Sequence, residues 1–254
     1  MKIAVTRAVS ASIVRCQLTH LDRESIDLAR AKAQHEIYCD RLTELGCEIR
    51  PLPAEPDLPD AVFVEDAAVV LDEIAVLTRP GAVSRRAELP TLAEALRPYR
   101  KLAEIEPPAT LDGGDVLQVG KSLYVGRSRR SNALAVEQLH KIVSPHGYSV
   151  VPVGVDGCLH LKSAVTQVTD DLLLLNGSWV DPEAFPGMHR VEVDPAEAFG
   201  ANALRVGDAV LHPEAFPRTR HRLEDCRVVV TSLDVSELAK AEGGLTCCSV
   251  IFES

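Results

Sequence analysis

GGDVLQVGKSLYVGRSRRSN, residues 113–132, reads as two short β-strands around a polar Val119-Gly120-Lys121 turn. Apolar or β-branched runs flank the turn, as in a hairpin. RRSNALAVEQLHKIVSPHG (129–147) then has the character of a helix, and YSVVPVGV (148–155) that of a third strand. The order is ββαβ, and it recurs. AVFVEDAAVVLDEIAVLTRPG (61–81) is followed by RRAELPTLAEALRPY and KLAEIE; ANALRVGDAVLHPEAFPRTR (201–220) by RTRHRLEDC and RVVVTSLD. LHLKSAVTQVTDDLLLLNGS (159–178) has only a short DPEAF stretch before HRVEVD. The fifth unit is split between the ends of the sequence: LTCCSVIF supplies one strand, KIAVTRAV another, and CEIRPL completes it after a helix over 23–46.

A repeat of roughly 40–50 residues is the range of propellers and arrays. Sharing a module between the N- and C-terminal strands closes the ring and removes its free edges. The helices argue against all-β blades. The expected fold is therefore α/β: a five-bladed αβ propeller of ββαβ modules with pseudo-fivefold symmetry, forming one catalytic domain over residues 1–254. In the first helix, Ile26, Leu28, Ala29, Ala33, Ile37, Leu42 and Leu45 are the expected apolar stripe, with Gly46 at the C′ position.

Composition sets the class. Of 254 residues, 46% are hydrophobic and 25% charged, enough for a sizeable core and against long disorder. A formal charge of −10 disfavours nucleic acid as a partner and suits attraction of a cation. No apolar run approaches the roughly 20 residues that span a bilayer, and no secretory signal pattern opens the chain. Membrane attachment is not expected. Seven cysteines without CxxC spacing read as reduced thiols, which places the chain in the cytoplasm.

The ring brings distant residues together. Glu65 and Asp66, Asp112 and Asp115, His160, Asn202 and Cys247 fall early in the first strand of successive modules, so they converge on the axis. Cys247 follows Gly243-Gly244-Leu245-Thr246, where glycines permit a sharp turn or close approach of a ligand. Taken singly, a free cysteine is ordinarily a small buried hydrophobe; beside a base or a cation it becomes a nucleophile. Cys248, its neighbour, keeps the core reading. His160 alternates with Leu159 and Leu161 and so faces away from them. As an acid–base group it needs an orienting carboxylate, for which Asp112 is the candidate, although an Asp before two glycines also suits a turn. Asp66 is placed to receive a planar cation. Glu65 and Asp66 otherwise need an edge position or a partner such as Arg85. Arg85 and Arg130 each begin the segment after a hairpin, where they suit a bidentate grip on a carboxylate.

DLPDAVFVEDAAVV, TRPGAVSRRAE, TLDGGDVLQVG, GRSRRSN, LHLKS and GLTCCSV, in this order over almost the whole chain, resemble the guanidine-modifying superfamily, most closely the dimethylarginine dimethylaminohydrolase family. The resemblance implies the five-bladed αβ propeller. It implies that Cys247 attacks a guanidinium carbon, that His160 protonates the departing amine and then activates water, and that Asp112 orients His160. It assigns Leu18 (through its backbone), Asp60, Glu65, Asp66, Arg85, Arg130 and Ala241 to substrate binding. Arginine deiminases and amidinotransferases carry an Asp two residues after the histidine, and here that residue is Lys162. A methylated nitrogen would leave such a carboxylate unsatisfied, so Lys162 points to Nω-methylated arginine giving citrulline.

Two other readings stay open on sequence: hydrolysis of another guanidino or ureido compound, and an inert small-molecule-binding ring. No cofactor and no functional metal are implied, although Cys247 and His160 are able to capture zinc as an inhibitor. A small molecule is the expected partner, a homodimer is kept open, and residues 11–27, outside the repeats, are the expected lid.

Overall fold

The computed structural model describes residues 1–254. Five three-stranded sheets follow one another around a ring. In each, the first two strands form an antiparallel hairpin and the third lies parallel to the second, reached by a crossover. The modules are Ala68–Val70, Ile74–Leu77, Lys101–Glu104; Val116–Val119, Ser122–Arg127, Ser149–Gly154; Val165–Gln167, Leu172–Leu175, His189–Glu192; and Leu204–Val206, Ala209–Pro213, Val229–Leu233. Ser249–Glu253 pairs with Lys2–Arg7 and this with Cys47–Leu52, so the two ends share the fifth module. Gly120 and Gly207 hold positive φ in the two-residue loops between Val119 and Ser122 and between Val206 and Ala209. Hairpin loops of this length favour that backbone.

Helices Leu28–Glu44, Leu89–Leu96, Ala133–Val143 and Pro217–Asp225 provide four crossovers, and the single turn Pro182–Ala184 the other. The core is correspondingly divided into five clusters, each shared by adjacent modules. Leu123 and Leu139 of one module, for example, pack with Val76 of the preceding one. Leu139 is fully buried. Leu139→Ala is therefore expected to lower unfolding free energy by about 2–5 kcal/mol, the cost of a truncated core leucine, measurable by urea denaturation. No helix is long and apolar enough to cross a membrane.

Two details differ from expectation. Helix Leu28–Glu44 buries Ala31, Gln34, His35, Tyr38 and Leu42, while Ile37 is exposed and so are Ala29 and Ala33. The buried face carries polar residues that find partners: Gln34 donates to the Ser236 hydroxyl and accepts from the Glu237 N–H. Also, Glu65, Asp66, Asp115 and Cys247 lie in single-turn helices ahead of the first strands, at Val64–Ala67, Gly113–Asp115 and Thr246–Cys248, with His160 capping Leu161–Ala164. A turn can send consecutive residues in different directions without the strict two-fold alternation of a strand. These turns pack on one another at one end of the ring.

Candidate active site

A small cavity at that end is lined by Cys247, His160, Asp66, Asp60, Arg85 and Arg130, with Ala241 beside them. Each comes from a turn or loop whose backbone is fixed locally. A Cβ at Gly243 would lie 2.1 Å from the Phe63 ring, and one at Gly244 would lie 2.5 Å from Asn202 Oδ1. The chain can therefore pass there only as glycine, in the turn that leads through Leu245 and Thr246 to the cysteine. Asn202 ties the turn down: its Oδ1 accepts the Thr246 N–H at 3.2 Å, and its Nδ2 donates to Thr246 Oγ1 and to the Lys162 carbonyl. Sequence reading noted Asn202 only for its ring position. Cys247 Sγ accepts the Gly244 N–H at 3.4 Å and is partly exposed to the cavity.

His160 is buried between carboxylates. Nε2 lies 3.0 Å from Asp112 Oδ2 and Nδ1 lies 3.7 Å from Asp66 Oδ1. Asp112 is itself fixed, with Oδ1 accepting the Gly81 N–H at 2.9 Å and its own N–H donating to the Ser131 hydroxyl. Beneath both stands Asp115, which accepts from Ser128, Ser131 and the Leu161 N–H. Burial raises Asp115 to about 6 despite His160 nearby. It thus positions the chain on either side of the His160–Asp112 contact, and sequence reading gave it no such role.

Arg85 differs from its simplest expectation. Its Nε and Nη2 bond Glu88, Nη2 also reaches the Asp60 and Phe63 carbonyls, and Nη1 bonds Asp66. Of five N–H donors, only one on Nη1 lacks an acceptor. The acid-pairing alternative weighed from sequence is thus realised, and a bidentate grip would require that network to rearrange. Arg130 is less committed: Nη2 donates to Thr19 Oγ1 at 3.2 Å and Nη1 is 3.7 Å from Asp112.

Leu18 packs against an apolar cluster rather than lining the cavity. Glu65 is tied elsewhere, with Oε1 2.5 Å from Lys162 Nζ and Oε2 accepting from Thr246. Together with inner-strand residues, this pair borders a second axial cavity of about 410 Å³. Neighbouring Asp66, by contrast, faces the cysteine side. Donor atoms of Asp66, Asp112 and His160 lie within 4.8 Å of one another, as a metal site would require. Their oxygens, however, already accept from Gly114, Arg85, Gly81 and His160.

The electrostatics are those of a site awaiting a cation. Burial, then Glu65 and Asp66, push the Cys247 thiol up to about 12. Burial would lower His160, but Asp66 and Asp112 outweigh it and raise the imidazole to about 9. Burial would likewise raise Asp66, yet His160 and Arg85 hold it below the usual carboxylate range. The free site thus holds a neutral thiol and an imidazolium. Removing one negative charge in Asp66→Asn is expected to lower the pKa of both, while turnover falls. Thiolate absorbance near 240 nm and the His160 imidazole NMR shift would check the two.

Cysteine, histidine and carboxylates gathered at one axial end of five ββαβ modules define an αβ propeller of the guanidine-modifying class. The chain is 39% identical to an N(G),N(G)-dimethylarginine dimethylaminohydrolase of Streptomyces coelicolor, over 98% of this chain and 96% of that protein. It is 35% identical to the Pseudomonas aeruginosa protein of the same name, over 89% and 90%. A solved structure of the Pseudomonas aeruginosa protein, a cysteine-to-serine mutant complexed with citrulline, superposes with a TM-score of 0.93 at 34% identity, covering 98% of each chain. No family model matches. The chain belongs to the dimethylarginine dimethylaminohydrolase family.

Proposed function

We propose that this chain hydrolyses Nω-methylated arginines to citrulline, releasing methylamine or dimethylamine, with Cys247 as nucleophile. The carrying observation is a cavity that brings the Cys247 thiol together with Asp66, Asp60 and a histidine held 3.0 Å from Asp112. A bound guanidinium adds positive charge beside the sulfur, which favours the thiolate when the electrophilic carbon is adjacent, the thiol proton passing to solvent. Sulfur adds to that carbon, the C–N bond to the methylated nitrogen breaks, and His160 gives its proton to the leaving amine. Neutral His160 then takes a proton from water. The oxygen adds to the carbon of the thiouronium, the C–S bond breaks, and citrulline leaves with Cys247 regenerated. Asp112 holds the imidazole in register, Asp66 and Asp60 receive the cation, Arg130 and Arg85 stand at the amino-acid end, and Ala241 contributes a cavity wall. Glu65 acts from behind Asp66, and Leu18 from the segment over the cavity. None of these steps calls for a cofactor.

Lys162 favours a methylated substrate over arginine. It occupies the position two residues after His160 and engages Glu65, so neither residue offers a free carboxylate to an unsubstituted NH₂. Mass spectrometry of enzyme quenched during turnover should find a guanidinium-derived adduct on the peptide containing Cys247. Faster citrulline release from arginine than from methylarginine would overturn the specificity, and absence of any turnover would favour an inert binding ring.

The same reading places one catalytic unit over residues 1–254 in the cytoplasm, where seven unpaired thiols are at home. A homodimer is the assembly to test, by sedimentation at two protein concentrations.

A further inference from the structure

The cavity around Cys247 and His160 has a free volume of about 20 Å³, about the space of one water molecule. An arginine-sized molecule cannot enter it as it stands. Above it lies the segment after Cys16: the Gln17 N–H donates to Asp60 and Arg130 donates to Thr19 Oγ1, while the backbone of residues 19–21 is held by one side chain. Glu242 Oε1 accepts the backbone N–H of Thr19, His20 and Leu21 at 2.9, 2.6 and 2.7 Å, with Oε2 also 3.0 Å from the Thr19 nitrogen. Successive N–H groups converging on a carboxylate form an anion-binding nest. Glu242 itself has φ 57°, a left-handed backbone that non-glycine residues adopt rarely and at a cost. It follows Ala241 and lies just ahead of the Gly243-Gly244 turn into Cys247.

Glu242 is also a partition. It and Leu159 wall both the catalytic cavity and a neighbouring apolar cavity of about 240 Å³, whose other walls include His20 and Leu21 of the same segment. Releasing the three N–H groups would join the two spaces and open a way in.

We infer that Glu242 is a positioning residue, the latch that holds residues 19–21 closed over the site and must release for substrate to enter and product to leave. The inference rests on the function proposed above. It has an unusual kinetic consequence. A latch that closes over the free and the occupied site alike speeds opening of both when it is loosened. Association and dissociation should accelerate together while Kd stays nearly constant. A residue binding the ligand directly would instead change Kd.

Two variants test this. Glu242→Gln removes the anion at nearly constant size. Glu242→Gly removes the side chain and relaxes the left-handed backbone, so it should not harm the fold. In both, amide exchange at Thr19, His20 and Leu21 should quicken by about 10- to 100-fold, the scale of a hydrogen bond to a charged group, with the ring strands unchanged. In a Cys247→Ser background, citrulline exchange followed by NMR of labelled ligand should quicken by a similar factor, with Kd within about two-fold. Unchanged exchange at residues 19–21 would overturn the latch, whatever the ligand does. A weakened Kd at constant association rate would overturn it in favour of direct binding. Failure of citrulline to bind even the Cys247→Ser parent would count against the proposed function instead, leaving amide exchange to decide on the latch.

Discussion

Cys247→Ser is expected to abolish turnover of methylated arginine, lowering kcat by about 10⁴-fold or more, as removal of a nucleophile does elsewhere. The protein should still fold and bind. Serine is close in size, and the turn is held by Asn202 and the two close-approach glycines rather than by sulfur. The loss is chemical. A hydroxyl in this acidic setting is far harder to ionise than a thiol, and even the thiol requires the incoming cation. Citrulline affinity within a few-fold of wild type, together with no adduct in quenched samples, would establish that only bond formation has been removed. Wild-type turnover in the serine variant would refute the nucleophile assignment.

The second large effect is expected at His160. His160→Asn should cost about 10²–10⁴-fold in kcat, the range for a lost general acid–base group. The loss should divide between the two half-reactions. With methylated arginine the amine cannot leave without a proton, so little adduct should form. With an S-alkyl thiocitrulline, whose thiolate leaves without one, the adduct should form and then persist because water is not activated. Rapid-quench mass spectrometry separates the cases. Wild-type hydrolysis of the adduct would show that His160 does not act on water.

The same residue sets the pH dependence. The free site carries a thiol proton and an imidazolium proton, one more than the reactive state needs. Thus kcat/KM should rise with pH through about 9 and then level off. Asp112→Asn removes a charge that raises the imidazole, so the rising limb should move to lower pH. The comparison with wild type cancels ionisations of the substrate.

The ring was legible because its signal is periodic. Hairpins with turns such as Val119-Gly120-Lys121 recur at similar spacing, and the orphan strands at the two ends supply the missing fifth hairpin. The convergence of Cys247, His160 and the acids followed from that topology alone. Local geometry was less legible. Treating His160 as a strand residue predicted alternation with Leu159 and Leu161, and Asp66 was set in a strand-like run, whereas short helical turns position both. The stripe assigned to Leu28–Glu44 followed hydrophobicity, but Gln34 is buried because Ser236 and Glu237 satisfy it. His35 is buried beside it, driven down to about 4 by loss of water. Glu242 was beyond sequence reading altogether. Its partners are backbone N–H groups some 220 residues away, which carry no residue signature.

Ring closure through Lys2–Arg7 and Ser249–Glu253 also gives the protein a timetable during synthesis. The first strand emerges early and finds its parallel neighbour at Cys47–Leu52, but its other edge has no partner until residues 249–253 have been made. At about 5–20 residues per second this interval is on the order of 10–50 s. Throughout it, an apolar edge beside Ile3 and Val5 stays open to improper pairing. Cys247 is added just before those residues, so the site acquires its thiol for chemistry only as the edge is about to be sealed.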